Sequence, residues 1–111
     1  ELSKSKQGQL DLKQDAGGIA DIEFLAQYWA LLWAEEHPPV VTFSDTIRQL
    51  ESVASANLVS QEDVDRLTHA YRAFRARLHH LALEGRPAIL SAEEFQKERE
   101  AVTRIWNSTM K

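Results

Sequence analysis

From Val64 to Leu81 apolar side chains recur in alternating steps of three and four: Val64, Leu67, Tyr71, Phe74, Leu78 and Leu81. That spacing puts all six on one side of an α-helix and on no single face of a strand. A helix with one apolar seam cannot bury it alone, so other segments must supply partners. Ser60 is a suitable N-cap, and Glu62, Asp63 and Asp65 sit where the positive end of the helix dipole favours acids. Gly85 and Pro87 stop the helix.

The partners are legible elsewhere in the chain. Ile22, Leu25, Ala26, Trp29, Leu32 and Trp33 keep the helical spacing in a segment that starts at Ile19 and ends at Glu36, before His37-Pro38-Pro39. This helix is apolar around most of its circumference and belongs at the centre of the packing, with Trp29 in the core. Ser44 caps a second helix carrying Ile47, Leu50, Val53 and Ala54, and Asn57 ends it. Ser91-Ala92-Glu93-Glu94 reads as a capping box for a last helix. Its seam is Phe95, Val102, Ile105 and Trp106, while Glu98, Arg99 and Arg104 point away. Gln9 to Lys13 alternates polar and apolar residues, a short strand signal. The fold class that follows is all-α: an antiparallel helical bundle of about four helices with a short extended N-terminal segment. Residues 1–9 read as a tail or the end of an upstream element. Residues 10–18 form an extended, glycine-containing junction, and 19–111 form the bundle.

Composition narrows the chemistry. The chain has no cysteine, which excludes disulfides, thiolate zinc sites and cysteine nucleophiles. Its net charge of −4 argues against wrapping nucleic acid, and the first 59 residues hold 4 basic and 9 acidic side chains. No apolar run approaches the roughly 18 residues that span a bilayer. These features suit a soluble intracellular domain. The opening Glu1-Leu2-Ser3, without methionine, is what a piece of a longer chain would show.

The unusual stretch runs from Asp11 to Phe24. Gly17-Gly18 at a helix start leaves backbone N–H groups uncovered, which with the helix dipole and Lys13 makes an anion site one reading. The density of Asp11, Asp15, Asp21 and Glu23 makes a divalent cation another. The plainer reading is a tight turn with acids facing a helix dipole, where a valine at 18 costs little stability. His79 and His80 diverge by roughly 100° on a helix and cannot share a metal, although Glu84 lies four residues beyond His80. Arg72, Arg75, His79 and Arg86 share a face beside the long seam, which reads as a solvated stripe. No P-loop, Ser–His–Asp set or two-metal motif can be assembled.

The sequence DLKQDAGGIADIEFLAQY resembles the segment that follows the nucleotidyltransferase core in the glutamine synthetase adenylyltransferase family. The signature D-[IL]-K-x-x-x-G-G-I-x-[DE]-I-E-F-x-x-Q falls on Asp11, Lys13, Gly17, Gly18, Ile19, Asp21, Ile22, Glu23, Phe24 and Gln27. A shorter form, K-x-x-x-G-G-L-R-D, is similar in the related uridylyltransferases. Thr46 to Glu51 and Ala70 to Arg75 resemble later helices of the family. The resemblance implies an enzyme of two nucleotidyltransferase halves, one removing AMP from glutamine synthetase and one adding AMP from ATP to a tyrosine with Mg²⁺. Asp15, with Ala20-Asp21 in place of Arg-Glu, is similar to the adenylylating, C-terminal copy. The core's metal carboxylates are absent here, so the implied role is accessory, and the fragment alone is expected to be inactive. Lys13, Gly17, Gly18, Asp21 and Glu23 are then candidates to line the nucleotide or the junction. The partners implied are glutamine synthetase, the PII regulatory protein and the chain's own upstream nucleotidyltransferase domain, in the cytoplasm. A non-catalytic regulatory or protein-binding module, or the equivalent domain of a uridylyltransferase, stays open.

Overall fold

In the computed structural model, which describes residues 9–33, 45–91 and 93–110, six elements follow in order. They are β1 (Gln9–Asp11), α1 (Ile19–Trp33), α2 (Thr46–Ser55), α3 (Gln61–Leu83), β2 (Ile89–Ser91) and α4 (Gln96–Thr109). The expectation of a mostly helical bundle holds, with α1 touching each of the other three helices. Phe74, Leu67, Leu81, Ile22, Leu25, Leu50 and Val102 are fully buried where these helices meet, and Trp29 is 5% exposed.

Local rules account for α3 in full. The Ser60 hydroxyl accepts the Asp63 N–H at 3.1 Å, and the helix ends at Glu84, followed by Gly85 at φ 68°. Asn57 likewise takes a left-handed φ of 63° just beyond α2. The cap of α2 is Asp45 and not the expected Ser44: the Asp45 carboxylate accepts the Arg48 N–H at 3.1 Å, the bond an N-cap supplies. Ser44, Glu36, His37-Pro38-Pro39 and the tail of residues 1–8 lie outside the described residues.

Three further expectations are corrected. Leu32 shares the spacing of the α1 stripe but is 56% exposed, as is its neighbour Leu31 at 77%; both lie beyond Ala30, where the described buried side chains of α1 stop. The capping box does not open α4, which starts at Gln96 after Phe95 in a left-handed conformation at φ 60°. Ser91 instead ends a strand, the Glu94 carboxylate accepts from Arg77 Nε at 2.8 Å, and the Phe95 ring meets Phe74 edge-on at 5.2 Å. Tertiary partners thus took the side chains a local cap would have used. Arg99, expected to point away, lies against the turn that precedes α1 and donates to the Ala16 carbonyl at 3.4 Å.

The strand signal at Gln9 finds its partner in β2, whose three residues carry no alternating pattern of their own. The two run antiparallel with Gln9 opposite Ser91, Leu10 opposite Leu90 and Asp11 opposite Ile89. The Leu12 N–H continues the ladder to the Ala88 carbonyl at 3.2 Å. Alternation sends Leu10, Leu12 and Leu90 inward, where all three are buried. This ribbon brings the turn after β1 beside the end of α3.

Candidate functional site

The stretch from Asp11 to Asp21 is a turn tied almost entirely by its own groups. The Asp11 carbonyl accepts the N–H groups of Gln14 and Asp15 at 3.2 and 2.9 Å. The Asp11 N–H donates to the Asp15 carboxylate at 2.8 Å, and the Lys13 N–H donates to the Asp11 carboxylate at 3.0 Å. Gly18 donates to the Asp15 carbonyl, Ile19 to Leu12 and Ala20 to Lys13, at 3.0 to 3.2 Å. The Asp21 carboxylate reaches back to accept the Gly17 N–H at 2.8 Å. The N–H groups of Gly17, Gly18, Ile19 and Ala20 are therefore already satisfied within the turn, which supports the plainer of the two readings of Gly17-Gly18.

Close approach demands both glycines. Gly17 has φ 80°, and a Cβ there would lie 2.7 Å from the Arg99 carbonyl and 2.9 Å from the Thr103 hydroxyl on α4. A Cβ on Gly18 would overlap the Leu12 carbonyl and sit 3.0 Å from that of Asp15. Both obstacles at Gly18 are backbone, which cannot swing aside. A valine at 18 is thus costly to the fold, contrary to the modest cost that an ordinary helix start would carry.

The acids serve separate ends. Burial pushes the Asp21 carboxyl above the ordinary aspartate range, against the downward pull of the Gly17 N–H. Glu23 accepts the Tyr71 hydroxyl at 3.0 Å and so ties α1 to α3. Asp15 is buried and receives the Asp11 N–H. Each of these carboxylates faces a different donor, and among the described residues no group of three His, Asp or Glu is arranged to hold a metal ion. The divalent-cation reading of Asp11, Asp15, Asp21 and Glu23 does not fit this geometry.

Lys13 stands apart from its neighbours. Its backbone is clamped on both sides while its side chain is exposed at a cleft of about 420 Å³. Arg75 and His79 of α3 and Arg86 of the α3–β2 turn line the same cleft, over Leu78 and Pro87. The stripe read from sequence thus divides: Arg72 faces a separate hollow with Asp65 and His69. That Lys13 joins the rest depends on β1 pairing with β2, a contact about 80 residues apart that no local pattern reveals.

Comparison with known proteins adds to this geometry. The family model described as GlnD PII-uridylyltransferase matches residues 2–89, which span the ribbon's first strand, the glycine turn and α1 to α3. A bifunctional glutamine synthetase adenylyltransferase/adenylyl-removing enzyme of Pseudomonas aeruginosa is 52% identical over 96 residues, which is 86% of this chain and 10% of the relative. Proteins of the same name are 44% identical over 92% of this chain in Thioalkalivibrio sulfidiphilus and 43% over 99% in Nitrosococcus oceani, covering 10% and 11% of those relatives. The chain spans about a tenth of the length of the curated relatives it matches. With the glycine signature folded into one turn and these matches around it, the chain belongs to the GlnD PII-uridylyltransferase family, as a segment similar to glutamine synthetase adenylyltransferases.

Proposed function

We propose that this chain is the helical region following a nucleotidyltransferase core in an enzyme that adenylylates glutamine synthetase, in its C-terminal copy. The observation that carries the reading is the 52% identity over 86% of the chain with a relative bearing that name. In this reading the chain is accessory. Mg²⁺ and the transfer step are handled by the core, since the carboxylates of the segment are committed to the turn and to Tyr71. The glycine turn serves as the junction on which the upstream nucleotidyltransferase domain rests, with Lys13 at its exposed edge. Glutamine synthetase is the protein acted on, the PII regulatory protein is a second partner, and the cytoplasm is the compartment.

A transplant tests this reading. This chain replaces the matching segment of the Pseudomonas aeruginosa relative, and AMP transfer to glutamine synthetase is measured. Retained transfer supports the reading, together with no transfer by the 111-residue chain alone. A chimera that folds but does not adenylylate, or that uridylylates PII instead, overturns it. The second outcome would favour the uridylyltransferase alternative that the description of the family model suggests.

A further inference from the structure

We infer that the cleft between the glycine turn and α3 binds a phosphoryl anion, either free phosphate or the phosphate end of a nucleotide. It lies among Lys13, Arg75, His79 and Arg86. Three permanent cations and a histidine converge there from three separate segments, in a chain whose net charge is −4. Among the described residues, no carboxylate forms an ion pair with Lys13 or Arg75. The Arg75 guanidinium instead rests 5.7 Å from the centroid of the Tyr71 ring. Arg86 is held by Glu84 at 3.2 Å, which fixes one edge of its guanidinium and leaves further N–H donors for a ligand.

Lys13 and Arg75, with no carboxylate paired to them, repel each other and Arg86 across the cleft, which Leu78 and Pro87 also line. An anion with more than one charge relieves it best. A phosphoryl group offers oxygens in several directions to an ammonium and two guanidiniums at once, whereas a carboxylate has two coplanar oxygens and one charge. The cleft's volume of about 420 Å³ falls in the range of roughly 300–1,000 Å³ typical of small-ligand sites, leaving room for the group that carries the phosphate.

The signature residues gain a purpose from this. Asp11 holds the Lys13 N–H at 3.0 Å and Ala20 donates to the Lys13 carbonyl at 3.2 Å, so the turn presents the ammonium at the cleft from a fixed backbone. Asp11 is in this sense a positioning residue. The inference stands on the cleft alone and does not rest on the adenylyltransferase reading.

The test is an NMR titration of the ¹⁵N-labelled 111-residue chain at constant ionic strength with inorganic phosphate, tripolyphosphate, ATP and adenosine. Saturable shifts centred on Lys13, Arg75, His79 and Arg86 are expected with the phosphate-bearing probes and none with adenosine. Lys13→Gln and Arg75→Gln should each weaken binding at least tenfold, while Lys97→Gln on α4 leaves it unchanged. Circular dichroism melts show that the variants are folded. Tighter binding of ATP than of tripolyphosphate supports a nucleotide as the source, and equal binding of inorganic phosphate supports the free ion. No saturable response, shifts spread evenly over all basic residues, or indifference to Lys13→Gln and Arg75→Gln would overturn the inference. So would stronger competition by a Glu-rich peptide, which would make the cleft a dock for acidic protein segments. None of these outcomes bears on the transplant.

Discussion

Two helices of this chain start in opposite ways. At α3 one side chain suffices: Ser60 accepts the Asp63 N–H at 3.1 Å, and Ser60, Gln61 and Glu62 are exposed. At α1 the first amides are taken by the Leu12, Lys13 and Asp15 carbonyls and by the Asp21 carboxylate, and Gly17 and Gly18 lie against backbone and α4. The first start is a local device that tolerates change around it. The second is a piece of tertiary structure, and its tolerance is set by what packs on it. Substitutions at the two starts should therefore differ in cost, on a scale set by the core.

Trp29→Ala marks the top of that scale, because the indole is 5% exposed in the middle of α1. Urea unfolding should show a loss of about 3–5 kcal/mol, as for other large aromatic truncations. A loss under about 1 kcal/mol would mean that α1 does not hold the core. Gly18→Val should follow at about 3 kcal/mol, the upper end of overpacking costs, since its Cβ meets the Leu12 and Asp15 carbonyls. If Gly18→Val cost no more than a change at Ser60, the α1 start would be as forgiving as that of α3. Gly17→Ala comes next at about 1–2 kcal/mol for the left-handed conformation of a residue with a Cβ. The Arg99 carbonyl, 2.7 Å from that Cβ, can add to the loss.

What could be read from sequence divides along the same line. The cap, seam and stop of α3 are local, so Ser60, the Val64–Leu81 spacing and Gly85 sufficed. Trp29 as core also followed from spacing. The start of α4 did not, because Arg77 and Phe74, well upstream in sequence, claim Glu94 and Phe95. Ile89-Leu90 is too short a run to be read as a strand without knowing that β1 waits for it. In the glycine segment the residues were identifiable and their roles were not. Four acids close in sequence looked like a cation site, yet three reach toward N–H groups of their own turn and Glu23 toward Tyr71. Lys13 and Arg75 could be noticed singly, and only the ribbon joins them at one cleft.

Ser60→Ala is expected to cost about 1 kcal/mol, the usual loss when a helix N-cap hydroxyl is removed. Urea unfolding of the variant measures it. A loss as large as that of Gly18→Val would mean that Ser60 supports more than the Asp63 N–H.

The smallest effect, and the sharpest on electrostatics, is expected from Asp21→Asn. Burial raises the folded pKa of Asp21 above its ordinary value, so the folded state takes up a proton before the unfolded state does. The wild-type protein then gains stability as pH falls from the raised value toward the ordinary one, and loses that gain as pH rises. An asparagine does not titrate, but its amide oxygen still accepts the Gly17 N–H. At pH 7 the variant should therefore lie within about 0.5 kcal/mol of the wild type or slightly above it. As pH falls through the window, the wild type should gain on the variant. Denaturant unfolding at several pH values follows both. A loss above about 1 kcal/mol at pH 7 would mean that the negative charge itself holds the turn, through the dipole of α1, and that this attraction outweighs desolvation. The α1 start would then depend on one acid as α3 depends on one serine, and the contrast between the two would rest on the glycines alone.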